Sequence, residues 1–122
     1  MRYEPIGPAL ISDVEAGKFD EMPDELARAL IAVGLHEPDI ARAQALCVRH
    51  SSHPDEVVRG NALLAFGHLA RRRGVLDEGL VRPAIETGLQ DASKFVRGQA
   101  DAAADDLAHF LGWRIHRPGE ST

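Results

Sequence analysis

Cysteine and aromatic residues are scarce in this chain. Cys47 is the only cysteine among 122 residues, and there is one tryptophan and one tyrosine. An intrachain disulfide is therefore impossible, which fits a reducing compartment. The few aromatic side chains leave little for the base stacking on which many proteins that bind single-stranded nucleic acid depend.

The chain also lacks a long apolar run and a surplus of basic residues. No stretch is apolar over the roughly 20 residues that a membrane-spanning helix needs, and the N-terminal region has no basic start followed by an apolar run. The net charge of −5 and the pI of about 5.6 disfavour binding to phosphate backbones. We therefore expect a cytoplasmic protein that avoids membranes and nucleic acid and suits a basic partner.

Most of the sequence has the spacing of apolar residues that is typical of α-helices. Apolar residues recur at intervals of three and four between residues 24 and 113, and no stretch alternates in twos for long enough to predict a strand. Pro83 falls inside the fourth helical segment, so that helix either begins or kinks there. The sequence predicts an all-α fold with helices at about residues 24–33, 38–50, 54–72, 76–90 and 92–111.

The length fits one domain, which we place at residues 1–113. Residues 1–23 carry three prolines and two glycines around a possible short helix from Pro8 to Ala16. We expect an ordered but irregular N-terminal arm there, docked through Ile6, Leu10, Ile11, Val14 and Phe19. Residues 114–122 have few anchors and are predicted to form a flexible tail.

One pattern occurs twice at an offset of 38 residues. The stretch VRGNALLAFGHL from residue 58 matches VRGQADAAADDL from residue 96, and the polar residues before each copy also correspond. Internal similarity at this period is typical of a solenoid of stacked helix pairs. The two pairs would be residues 38–72 and 76–111.

These matches resemble the HEAT-repeat family, in which a polar break containing aspartate precedes a helix that opens with Val-Arg. The resemblance rests on Asp55, Val58, Arg59, Ala62, Ala65 and Leu69 in one unit and on Asp91, Val96, Arg97, Ala100, Ala103 and Leu107 in the next. It implies a short HEAT-like solenoid with a leading helix. It also implies a structural role for Arg59 and Arg97, since in the family such arginines reach a loop aspartate of an adjacent unit.

A metal site has to be considered because Cys47, His50 and His53 are spaced by three and His36 precedes Glu37. Zinc needs three or four converging ligands, but His53 lies beyond a polar break and no second pair completes the set. Exposed or capping histidines explain the pattern better. The deoxyhypusine hydroxylases, which are similar in architecture, hold iron on several His-Glu pairs, whereas this chain has one. We predict no metal and no cofactor.

Catalytic patterns are equally sparse. There is no serine in a nucleophile elbow and no glycine-rich phosphate loop. Arg71, Arg72 and Arg73 form the only basic run, and near a helix end they complement the helix dipole. A nucleic-acid site would need more basic residues and more stacking aromatics. We therefore predict that the protein is not an enzyme.

Two groups of acidic residues remain. The N-terminal acidic group crowds the start of the first predicted helix, where negative charge is stabilising, and consists of Asp20, Glu21, Asp24 and Glu25. The C-terminal acidic group consists of Asp101, Asp105 and Asp106, of which the first two are four apart and repel each other on a helix. Either the solubility of a terminal repeat or a partner would explain the second group.

Small solenoids offer a stiff surface, so protein binding is the leading class of function. Small, acidic, cofactor-free domains of the cytoplasm resemble the bacterial immunity proteins of polymorphic toxins, including contact-dependent growth inhibition systems, some of which use HEAT-like repeats. The resemblance implies that both acidic groups dock on a basic toxin domain, with a nuclease as the leading candidate, and block its active site. A general adaptor or regulatory subunit is the alternative, and a nucleic-acid-binding helical-repeat protein is a further, less favoured one.

Overall fold

The computed structural model describes residues 8–73 and 75–119, and this part of the chain contains six helices and no strand. The predicted all-α class is therefore confirmed. Residues 1–7 of the predicted arm, Gly74 and residues 120–122 of the predicted tail lie outside the described residues. The helices are α1 (Pro8–Glu15), α2 (Pro23–His36), α3 (Ile40–His50), α4 (Glu56–Arg73), α5 (Glu78–Gly88) and α6 (Lys94–Leu111). None of these helices is long and apolar enough to cross a membrane.

Short polar side chains begin four of the helices. Asp39, Asp77 and Ser93 each accept a hydrogen bond from a backbone amide in the first turn of α3, α5 and α6. In α4 the carboxylate of Asp55 accepts from the amides of residues 57 and 58 at 2.8 and 3.1 Å. Because the capping residue lies outside the helix, these helices begin two residues later than predicted. Pro54, expected at the start of α4, therefore precedes its cap.

A proline and a glycine bear on two further helix boundaries, the start of α5 and the end of α6. Pro83 lies inside α5, whose start is set by the Asp77 cap, so a helix start at Pro83 is excluded. Gly112 ends α6 with a φ of +70°, a left-handed conformation that glycine adopts without the steric cost of a Cβ atom.

Helix α4 is central and lies between α2 and α6, which make its most extensive contacts. The side-chain amide of Asn61 donates to the carbonyl of Ala27 in α2 and accepts from Gln99 in α6. Near the end of α4, Arg72 donates to the carbonyl of Gly34. Early residues of α4 thus meet early residues of both neighbours and its late residues meet late ones, so α2, α4 and α6 run parallel.

The core follows this central helix. Phe66 and Leu69 of α4, Leu30 of α2 and Leu107 of α6 are fully buried. The helix axes of α2 and α4 approach closely, since a Cβ atom added to Gly34 would lie 2.9 Å from that of Ala65. Small residues therefore set the spacing between the helices.

Helix α1 covers α2 and contacts α3. Its side chains Leu10, Ile11 and Val14 are buried in the core. On its outer side, Glu15 accepts a hydrogen bond of 2.8 Å from Arg42 in α3. The arm thus contains the expected short helix, and the docking residues that can be described are buried.

The chain after α6 turns back along that helix. Trp113 and Ile115 pack, partly buried, against the core. The amide of His116 donates to the carboxylate of Glu86 in α5 at 2.9 Å, and Arg117 contacts α6. The described part of this segment is therefore held by more anchors than its sequence predicted.

Candidate protein-binding surface

The N-terminal acidic group is fully on the surface. All four side chains are exposed, two of them in the turn before α2 and two in its first turn. Glu25 lies 3.4 Å from Arg28, which is the only ion pair that reaches this group within the described residues. Met22, with 43% of its surface exposed, lies between the acidic residues in the chain. The start of α2 therefore presents a net negative surface with two exposed apolar side chains, Met22 and Pro23.

The C-terminal acidic group is partly neutralised by the chain itself. Arg117 Nη1 contacts Asp101 Oδ1, and Nη2 donates to Asp105 Oδ1 at 2.8 Å. Because the guanidinium lies between two carboxylates that are four residues apart, it offsets their repulsion. An internal counterion thus accounts for these aspartates, in addition to the solubility and partner explanations offered by the sequence.

Asp106 has a different environment. Its carboxylate faces α4, where it lies 3.3 Å from Nη2 of Arg71. The same guanidinium lies over the ring of Phe110, 5.7 Å from its centroid, in a cation-π contact. Asp106 is therefore partly buried against α4, whereas Asp101 and Asp105 are exposed. The two acidic groups are also separate, because α4 lies between the helices that carry them.

Arg59 joins α4 to the loop before α6. Its Nε and Nη2 donate to the two carboxylate oxygens of Asp91 at 2.9 and 2.8 Å, and its Nη1 donates to the carbonyls of His53 and Pro54. The hydrogen bonds from Arg59 lower the pKa of Asp91. This bidentate pair has the geometry that makes arginine selective for carboxylates, and it is the kind of contact that the family resemblance implies.

Arg97 repeats part of this arrangement one unit later. Its Nη1 donates to the carbonyls of Asp91 and Ala92 at 2.7 and 3.1 Å, just as Arg59 donates to the carbonyls 38 positions earlier. Within the described residues no carboxylate lies within ion-pair distance of Arg97, whose side chain is exposed, although its positive charge contributes to the lowered pKa of Asp91. Arg97 is thus held by loop carbonyls as Arg59 is, but it lacks a bidentate carboxylate partner such as Asp91.

The cysteine and histidine cluster is structural. Cys47 is buried, and burial raises the pKa of its thiol to about 12. His50, predicted to be exposed or capping, is buried instead, and its Nδ1 lies 2.9 Å from the carbonyl oxygen of Leu46. His53 Nδ1 accepts from the amide of Asp55. Nowhere in residues 8–73 and 75–119 do three His, Cys, Asp or Glu side chains form a group that could hold a metal ion.

Glu37 of the His-Glu pair and Arg72 of the arginine run also have structural partners. Glu37 is buried, and its Oε2 accepts a hydrogen bond of 2.9 Å from the amide of Asp39. Arg72 donates to the carbonyls of Gly34 and Glu37 at 2.8 and 2.7 Å. These contacts close the connection between α2 and α3, whereas His36 is exposed at the end of α2.

An open depression of about 530 Å³ lies between α6 and the returning chain. Lys94, Arg97 and Arg117 contribute cationic groups to its lining, and Leu89 and Pro118 contribute apolar ones. Asp101 contributes one carboxylate, which is bound by Arg117, so the lining carries a net positive charge. Sequence reasoning missed this feature, because Arg117 comes from the segment predicted to be a flexible tail. No local signal in residues 114–122 indicates that the chain turns back onto α6.

Comparison with known proteins identifies no relative. No family model matches the chain, and no match was found among the curated proteins or the solved structures. Function therefore has to be argued from the surface itself, since an all-helical architecture is compatible with many activities.

Proposed function

We propose that the chain is a non-enzymatic protein-binding module, built as a short HEAT-like solenoid of two helix pairs. The repeated contacts support the architecture. Asp55 and Ser93, which are 38 positions apart, cap the second helix of each pair. Arg59 and Arg97, at the same offset, bind the carbonyls of the preceding loop. Two segments with equivalent sequence and equivalent hydrogen bonds are the hallmark of a structural repeat.

More specifically, we propose that the chain is a cytoplasmic immunity protein that neutralises a basic toxin domain. A nuclease is the leading candidate for that toxin. The observation that carries it is the N-terminal acidic group, in which four exposed carboxylates have one cation beside them. A nuclease concentrates positive charge around its phosphate-binding site, so an acidic surface would be steered to that site and would block substrate access.

The C-terminal acidic group would act differently. Asp101 and Asp105 already bind Arg117, so a basic side chain of the partner has to compete with that guanidinium. The N-terminal acidic group needs no such exchange. We therefore assign the first electrostatic contact to the N-terminal group and a secondary role to Asp101 and Asp105.

Affinity capture of the tagged chain from its native cells tests the proposal. We expect one small basic protein whose association rate falls steeply with added salt, because exposed charge pairs are screened. A triple variant, D20N/E21Q/D24N, should slow association while leaving helical circular dichroism unchanged. Arg28→Gln is the matched control and should act in the opposite direction, since it removes the cation beside the same group.

The alternative is a general adaptor or regulatory subunit. Capture of several partners that are not basic, with no effect of the triple variant, would favour the adaptor. Recovery of RNA alone would contradict both forms of the proposal.

A further inference from the structure

The Arg59-Gly60 step of α4 is a filled receptacle for the next helix. Arg59 binds the carboxylate of Asp91, as described above. Beside it the ring of Phe95 lies over Gly60, so closely that a Cβ atom on this glycine would be 2.6 Å from Cε2 of the ring. The receptacle therefore accepts an aspartate and, four residues later, an aromatic side chain.

The Arg97-Gly98 step of α6 is a copy of the same receptacle. The sequence Val-Arg-Gly recurs there, and Arg97 is held by two loop carbonyls as Arg59 is. A Cβ atom added to Gly98 would meet no atom within 4 Å. Its counterpart Gly60 has a ring at that place, so both halves of the second receptacle are open within the described chain.

We propose that Arg97 and Gly98 form a docking site for a partner protein, and that the partner inserts a carboxylate and an aromatic side chain spaced by four residues. The arginine selects the carboxylate, because the nitrogens Nε and Nη2 that bind Asp91 in the first copy have no carboxylate in the second. The glycine admits a flat ring against the backbone of α6. Lys94, on the same depression, adds positive charge.

A second copy of this chain is not the occupant. Its own segments with this spacing are residues 15–19, 91–95 and 106–110, and all of their side chains are already used internally. Glu15 binds Arg42 and Phe19 is buried. Asp91 and Phe95 lie against Arg59 and Gly60, and Asp106 and Phe110 both contact Arg71.

Residues 113–119 of the returning segment do not fill the site either. Arg117 binds Asp101 and Asp105, one and two turns further along α6, and the space above Gly98 stays open.

This site rests on the proposed function only in requiring a protein partner. It is cationic and lies on α6, whereas the proposed contact with a basic toxin domain uses the acidic start of α2. The two can therefore fail separately.

Binding of a synthetic peptide to the full chain tests the proposal. The probe copies residues 89–100, which contain the natural occupant of the first receptacle. Nuclear magnetic resonance of the isotope-labelled protein should show saturable shifts of the Gly98 amide and of the Arg97 side-chain Nε–H. A D91N peptide and the Arg97→Gln protein should each weaken binding by about tenfold or more, because either change removes the charge-assisted pair.

Gly98→Ala separates docking from a structural role. The substitution favours the helix and meets open space in the free protein, so thermal stability should rise. It should nevertheless weaken peptide binding, because the added Cβ atom lies where the ring has to approach. The proposal is overturned if the peptide gives no saturable shift at millimolar concentration, if the D91N peptide binds equally well, or if Gly98→Ala leaves affinity unchanged. The D20N/E21Q/D24N variant should bind the peptide like the parent chain.

Discussion

At the scale of single residues, arginines determine how much of the acidic surface is free. Arg59 binds Asp91, Arg71 binds Asp106, and Arg117 binds two exposed aspartates of α6. Arg59 and Asp91 are the least exposed of these, with 20% and 15% of their side-chain surface accessible. Screening by water weakens exposed ion pairs most. The Arg59–Asp91 pair is therefore the ion pair whose loss should lower stability most.

Arg59→Gln should lower the free energy of unfolding by about 1–3 kcal/mol, because it leaves a half-buried carboxylate and two loop carbonyls without their donor. Urea denaturation monitored by circular dichroism measures the change. Arg97→Gln is the matched control at the equivalent position of the next unit, and it should cost less because that arginine has no carboxylate partner among the described residues. Equal losses in the two variants would contradict a special role for the Arg59–Asp91 pair.

His50 should make stability depend on pH. Burial lowers its pKa, as it lowers that of His68, and the charges of Arg49 and His53 act in the same direction on His50. The contact with the carbonyl oxygen of Leu46 and the charge of Asp20 act in the opposite direction without reversing the shift. The unfolded chain therefore takes up the proton more readily, so stability is full above the ordinary histidine pKa of about 6.5 and falls as the pH drops below it.

The variant His50→Gln should show a smaller loss of stability between pH 7 and pH 5 than the parent chain, measured by urea denaturation at each pH. Some pH dependence should remain because His68 is unchanged. An identical pH profile in both proteins would show that His50 does not contribute.

At the scale of elements, the distance between parallel helices is set by residues without large side chains. Gly34 of α2 meets the backbone of α4 at Ala65, whose Cα atom and carbonyl oxygen would both lie 3.1 Å from an added Cβ atom. Backbone atoms cannot rotate away as a side-chain end can. A larger residue there has to move one helix relative to the other.

Gly34→Ala should therefore destabilise the protein by about 1–3 kcal/mol through overpacking. Gly98→Ala is the matched control in α6, where the same methyl group meets open space, and it should stabilise by about 0.5–1 kcal/mol through helix propensity. The midpoints of thermal unfolding of the two variants show whether each substitution stabilises or destabilises the protein. Stabilisation by both substitutions would mean that α2 and α4 are free to move apart.

Periodicity predicted these elements well and their ends less well. The spacing of apolar residues is a local signal, and it located all five helices from residue 24 onwards. The starts were two residues early in four of them because Asp39, Asp55, Asp77 and Ser93 act as caps outside the helix. Which of several polar residues becomes the cap depends on the path of the loop, and that path is a tertiary property.

At the scale of the whole molecule, each flank of the helical array has a further segment of the chain packed on part of it. Helix α1 packs on α2, and residues 113–117 return along α6. The sequence predicted only those parts of the candidate site that do not depend on contacts of this kind between distant segments. The exposure of the N-terminal acidic group follows from its polar composition, whereas the pairing of Asp101 and Asp105 depends on Arg117, which is brought back by a reversal at Gly112.

Truncation after Gly112 should lower the free energy of unfolding by about 1–3 kcal/mol, because it removes the partly buried side chains of Trp113 and Ile115. Urea denaturation measures this loss. Arg117→Gln in the full chain is the control, and it should cost less than about 1 kcal/mol since its two partners are exposed. If the truncated chain is as stable as the parent, the returning segment makes no contribution to folding.

The reversal at Gly112 also decides from which side a docking partner can reach α6. Ile115 packs against the core and Arg117 binds Asp105, so the strip of α6 beneath these residues is occupied. The Cβ position of Gly98 stays open beside that strip. A partner therefore has to enter next to the returning chain, and a substitution in residues 113–118 could change access to Gly98 without altering any helix.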